Sequence, residues 1–145
     1  MKTTRPLLIV LSLVTVIGVS LGAYTYVHRA ATEQVYAFNC GIVDFKPESL
    51  TQYCADAGIG LSDIKWETWN AQGATGTAQY AINHCEPTCV DGKWSYADVN
   101  VRLSKLVHKN GKPVLSHIYY KTVDGKNLPS GKTAFEEWDL VSTPL

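Results

Sequence analysis

Residues 61–94 read LSDIKWETWNAQGATGTAQYAINHCEPTCVDGKW, and this stretch decides the fold. It holds three of the four tryptophans and two of the four cysteines. From Ile64 to Trp69 residue types alternate with period two: Ile64, Trp66 and Thr68 on one side, Lys65, Glu67 and Trp69 on the other. Successive side chains of a strand face opposite sides, so this is a strand pattern. Asn70 to Gly73 breaks it with turn chemistry. Alternation resumes from Ala74 to Ile82, with Ala74, Gly76, Ala78, Tyr80 and Ile82 on one face. The small residues of that face leave room for a large partner such as Trp66, and the pair reads as a β-hairpin. Two tryptophans three apart cannot share a face of a regular strand. Trp66 is therefore expected in the core and Trp69 on the wet face beside Lys65 and Glu67. These three residues are the candidate binding surface, with packing of Trp69 under the Ala71–Gly73 loop as the plainer reading.

Outward from the hairpin, further short strands are separated by turn signals at Gly58–Gly60, Asp91–Gly92, Asn110–Gly111 and Asp124–Gly125. Pro47 to Cys54 reads as a strand. Ala97, Val99, Val101 and Leu103 alternate with Asp98, Asn100, Arg102 and Ser104 as a half-buried strand does. Val114 to Thr122 is apolar on both faces, as in a central strand. Around Thr133 to Glu136 a capping box competes with a last strand through Ala134, Glu136, Trp138 and Leu140; strand is preferred. The expected fold is all-β, a small antiparallel sandwich or partly open barrel of about six strands.

Lys2 and Arg5 precede an uncharged run from Leu7 to Val27. As a helix it would span roughly 31 Å, enough for a bilayer core, and the flanking charges put its N-terminus inside. Residues 1–29 are thus expected to be a signal anchor or signal peptide with a transmembrane helix from Leu7 to Val27. An uncleaved anchor is preferred because the run exceeds an ordinary signal peptide. Residues 30–39 read as a tether and 40–145 as an extracytoplasmic β-domain. Lys2, Arg5 and Arg29 precede the exported part and every acidic residue lies within it, so its formal balance is three negative. That argues against a nucleic-acid binder.

Four cysteines allow three pairings. Nearness in the chain favours Cys40–Cys54 and Cys85–Cys89, loops of about 15 and 5 residues worth roughly 3 and 2 kcal/mol. Crossed pairings close longer loops and would give somewhat more, so entropy does not decide. A metal site at His84, Cys85 and Cys89 lacks a second ligand pair at zinc spacing and sits in an oxidising compartment; no metal or cofactor is expected. The chain carries no G-x-S-x-G elbow, phosphate loop, H-E-x-x-H or calcium loop. His117, between Leu115 and Tyr119, reads as a hydrogen-bonded core or edge histidine. No catalytic residue is assigned. Lys105, Lys109, Lys112, Lys121, Lys126 and Lys132 form a loose basic set, by default solvated, with anionic polymer or lipid headgroups as the alternative.

Cys54-Ala-Asp-Ala-Gly58, Leu61-Ser-Asp-Ile-Lys-Trp66-Glu-Thr-Trp69, Ala74-Thr-Gly-Thr-Ala78, Cys85-Glu-Pro-Thr-Cys89 and Val99-Asn-Val-Arg-Leu103 together resemble small exported proteins of actinobacteria with a W-x-x-W followed by C-x-P-x-C pattern. The resemblance covers about half of the exported part. It implies a secreted or membrane-anchored β-domain and carries no activity with it. Cys40 lies outside the shared pattern, which keeps Cys54 open as a partner for the Cys85/Cys89 pair. The expected function is a non-catalytic binding or interaction module of the cell envelope. It would be held to the membrane by its N-terminal helix or secreted, with cell-wall polymer or an envelope protein as partner. A secreted hydrolase with an unrecognised site and a purely structural envelope component are the alternatives.

Pro87 limits how far Cys85 and Cys89 can separate. Cys89→Ser is expected to lower stability by about 2 kcal/mol, measured by urea denaturation. Non-reducing peptide mapping should recover Cys85 joined to Cys89; either one joined to Cys54 would refute the pairing.

Overall fold

The structure is a computed structural model and describes residues 12, 14–25 and 34–142. It contains two compact units, Met1–Glu33 and Gln34–Leu145. In the first, residues 14–25 are helical. Among the described residues no helix is long and apolar enough to cross a membrane. Leu7 and Val27, the ends of the expected span, lie outside the described residues.

The second unit is one sheet curled into a half-barrel, the open form of the expectation, but with eight strands instead of about six. Its strands are β1 (Tyr36–Asn39), β2 (Ile42–Asp44), β3 (Leu50–Thr51), β4 (Ile59–Asn70), β5 (Gly73–Asn83), β6 (Trp94–Lys109), β7 (Lys112–Thr122) and β8 (Phe135–Asp139). The order across the sheet is β2-β1-β7-β6-β5-β4-β3, with β8 added on β7. All pairings are antiparallel except β1 with β7. β7 is central as its two apolar faces require: β6 lines one edge, β1 and β8 share the other. β8 confirms strand over helix after Thr133.

Three differences from the sequence reading have physical reasons. β1 falls largely within the segment assigned to a tether, because Val35 and Ala37 are buried against the core. β1 and β2 are joined at Cys40 and Gly41, both with positive φ (50° and 84°), the conformation a two-residue hairpin turn demands. The expected strand 47–54 shrinks to Leu50–Thr51, since beyond it the chain turns at Tyr53–Ala57, where the Ala57 N–H donates to the Tyr53 carbonyl.

The third difference is in β4. Its register against β5 shifts between Ser62 and Lys65 and again between Trp66 and Thr68, with Asp63 at φ 51°. Each shift is a β-bulge, one extra residue that reverses which face follows. Leu61, Ile64, Trp66 and Trp69 consequently all point to the concave side. The Trp69 assignment to the wet face is corrected: its ring meets Trp66 edge to face at 4.8 Å, and its indole N–H donates to the Val35 carbonyl at 2.8 Å. Across the ladder Trp66 lies opposite Gly76 and Trp69 opposite Ala74, so the small residues of β5 do make room for large ones. Farther along β5, Tyr80 fills the core itself, stacked on Tyr120 at 5.6 Å.

The two ends of the strand order are stitched by side chains and sulfur rather than by a backbone ladder. The Asn39 amide donates to the Thr51 carbonyl (2.9 Å) and its oxygen accepts from the Thr51 N–H (3.1 Å), as a strand neighbour would. The Cys40–Cys54 disulfide lies alongside. Trp66 adds an N–H donated to the Pro47 carbonyl at 2.9 Å. The second disulfide joins Cys85 to Cys89 beyond the end of β5, so both cysteine pairs are sequential.

A Cβ on Gly76 would lie 2.3 Å from the Lys65 carbonyl oxygen. Gly76→Ala must therefore spread β4 from β5, at a cost of about 3 kcal/mol. Asn39→Ala should cost about 2 kcal/mol by orphaning both backbone groups of Thr51. At Gly58 a Cβ meets nothing nearer than 3.6 Å, so Gly58→Ala serves as the near-neutral control. Urea denaturation followed by tryptophan fluorescence checks all three.

Candidate functional site

The convex face is built by the residues left over once the apolar ones turn inward. Ladder register arranges them in rows across the sheet. One row runs Lys65, Thr77, Asn100, Lys121 and Phe135; the next runs Thr68, Thr75, Arg102, Tyr119 and Glu137. Neighbouring strands are about 4.8 Å apart, so each row offers a polar group at that spacing. The bulge at Glu67 places its carboxylate on the same face. Glu67, Thr75, Gly76, Asn100, Val101, Arg102, Tyr119 and Lys121 line a shallow groove of about 520 Å³.

The β8 end of this face is aromatic. Tyr119 and Phe135 stack with centroids 5.7 Å apart and planes 28° from parallel. Phe135 is 47% exposed, and the Arg102 guanidinium stands 5.7 Å from the Tyr119 ring. A partly exposed ring pair beside a guanidinium, an ammonium, an amide and hydroxyls can stack on a flat ligand and hydrogen-bond its rim. Thr68 and Thr75 hydroxyls bond each other at 2.7 Å and hold that edge in place.

Of the nominated binding residues, Lys65 and Glu67 lie exposed on this face, while Trp69 is turned to the concave side. Arg102, Tyr119 and Phe135 are the members that sequence reading did not single out. The polar alternation through Asn100 and Arg102 was visible, but only register brings those positions beside Tyr119. His117 bonds through Nε2 to the Glu137 carboxylate at 3.2 Å, in the row running Ser104, His117, Asp139. Burial raises the Asp139 carboxyl, but N–H groups of Ser142 and Val141, the Ser142 hydroxyl and nearby His117 outweigh it and hold the group below its usual range. His84 shares a 2.9 Å hydrogen bond with Ser95, and Cys85 and Cys89 are consumed by their disulfide.

Under this face, inside the half-barrel, Glu136 of β8 accepts hydrogen bonds from Tyr120 (2.8 Å) and Ser130 (3.0 Å). Trp138 packs edge-on to Tyr120 at 5.3 Å. Burial, then the Glu136 charge, pushes the Tyr80 phenol up to about 12, with Ser130 pulling the other way. Burial and the hydrogen bond to Glu136 push Tyr120 higher still. Tyr120 therefore acts as a protonated donor, and both phenols serve as packing surfaces. The cluster fastens β8, and so Phe135, to the sheet.

No protein-family model, curated protein or solved structure matches the chain.

Both phenols have folded pKa values above the unfolded value near 10. The stability they contribute is fully present below pH 10 and is lost as pH rises from 10 towards 12. Thermal midpoints should fall over that window. Tyrosinate absorbance should show part of the eight tyrosines ionising only as the fold is lost. Complete ionisation near pH 10 with an unchanged circular dichroism spectrum would contradict the assignment.

Proposed function

We propose that the β-domain is a non-catalytic binding module of the cell envelope and that its convex face takes a glycan of the cell wall. The observation that supports this most is the stack of half-buried Tyr119 on exposed Phe135, flanked by Arg102 and by the row Lys65, Thr77, Asn100 and Lys121. A sugar ring is apolar on its faces and hydroxylated at its rim, and such a surface offers one partner for each. An extended polymer suits a shallow, open groove better than a small molecule does, because small ligands are held in concave sites that enclose them. Two disulfides are compatible with an oxidising compartment outside the cytoplasm. In this reading the apolar run Leu7–Val27 delivers the domain across the membrane, as an anchor or as a cleaved leader.

Isothermal titration with soluble fragments of cell-wall glycan tests the proposal. Binding should weaken about tenfold or more for Tyr119→Ala and for Arg102→Ala, roughly 1.4 kcal/mol each. Circular dichroism should show both variants folded. Absence of binding by the unaltered chain, or unchanged affinity in Tyr119→Ala, would remove the proposal.

A further inference from the structure

The hairpin of β6 and β7 extends past β5 on its β6 side, while β1 joins it on the β7 side. β5 accompanies β6 only as far as Ala74 opposite Leu103, and from Lys105 onward β6 has β7 alone as neighbour. Lys105 takes φ 59°, and its carbonyl accepts the Ser116 hydroxyl at 3.0 Å, so the arm leaves the sheet through a local irregularity. With one flank unpaired, Leu106 and Val107 remain 41% and 37% exposed. From Ser104 to Leu115 the sequence contains no acidic residue and carries Lys105, Lys109 and Lys112.

Two of those lysines stand over aromatic rings. Lys112 Nζ stands 5.0 Å from the Tyr36 ring and Lys109 Nζ 5.4 Å from Phe38. Tyr36 packs edge-on to Phe45, over which Lys46 lies at 5.5 Å. The acidic residues near Phe45 in the chain are Asp44 and Glu48, and Asp44 Oδ1 accepts the Phe45 N–H. Lysines outnumber these carboxylates at this end, although the exported part as a whole carries excess acid. This patch therefore offers an anionic surface a local excess of positive charge.

We propose that the Lys105–Lys112 arm docks edge-on against the surface of an anionic lipid bilayer, Leu106 and Val107, one on each face of the arm, entering between the headgroups along its unpaired β6 flank and Lys46, Lys105, Lys109 and Lys112 meeting phosphates. An apolar knuckle ringed by lysines on aromatic supports matches the interface, apolar beneath and negative at the plane. The chain also enters the domain at this end, with β1 joining β7 at Tyr36 opposite Val114, and the apolar run Leu7–Val27 is close upstream in sequence. Each lysine near such a surface strengthens partition about fivefold. This surface is separate from the convex groove, so either can fail alone.

The test is lysine footprinting of the full chain on phosphatidylcholine vesicles with and without phosphatidylglycerol, read by mass spectrometry of acetylated lysines. Lys105, Lys109 and Lys112 should react at least fivefold more slowly on the anionic vesicles, while Lys121, Lys126 and Lys132 keep their rates. In 0.5 M salt the difference should vanish, because screening shortens the range of exposed charges. The Lys109→Glu/Lys112→Glu double variant, folded by circular dichroism, should show no slowing at Lys105. Equal rates on both vesicles would overturn the proposal. So would protection that grows with protein concentration without lipid, which would assign the arm to a second copy of the chain.

Discussion

A curled sheet must hold its two margins together, and in this domain a side chain of β1 that behaves as backbone does so against β3. Asn39 offers Thr51 a donor and an acceptor with the spacing of a strand neighbour, so the seam between β1 and β3 is closed without a strand to close it. Without Asn39 both polar backbone groups of Thr51 on that side would lack a partner. The Cys40–Cys54 bond works on the same seam from the unfolded side, by limiting how far its two margins separate when the chain opens. The tryptophan N–H groups of β4 then reach across to Val35 and Pro47. The seam therefore depends on specific side chains, whereas β4 to β7 are held by long ladders.

That division explains what could be read in advance. The hairpins β4–β5 and β6–β7 announced themselves through alternation and through turns such as Asn110-Gly111, where local chemistry and tertiary structure agree. The pairing of Cys40 with Cys54 followed from nearness in the chain. β1 and β2 did not announce themselves: each is too short for a period to register, and their turn is made by Cys40, a residue without the usual tendency to positive φ. The faces of β4 were misjudged beyond Ile64–Trp66 because bulges leave no reliable mark in residue types. Asp63 can enter the left-handed region, but so can many aspartates that do not.

The convex groove was half legible for a related reason. Lys65 and Glu67 were identifiable as outward residues of one strand. Arg102, Tyr119 and Phe135 belong to three others, and their meeting is a matter of register, which hydrophobic pattern constrains to even shifts but does not fix. Phe135 depends in addition on β8 being fastened to β7, a job done on the opposite face by Glu136 with Tyr120 and Ser130. The chemistry of the outer surface thus rests on a carboxylate turned towards the inside.

The two bulges of β4 change how substitutions along this strand should be weighed. Between Leu61 and Trp69 the inward positions are Leu61, Ile64, Trp66 and Trp69, with gaps of three, two and three. Twelve residues of β4, from Ile59 to Asn70, lie opposite ten of β5, from Gly73 to Ile82. The strand behaves as three short segments, each with its own parity, joined at Asp63 and Glu67. In a diverging lineage, residues with the same odd or even number on either side of a joint would be under opposite pressures, one for bulk and one for solubility. Loss of a single residue at a joint would exchange those pressures for everything downstream. A lone deletion there is thus far more disruptive than its size suggests, and a compensating insertion before Trp69 would restore the original parity.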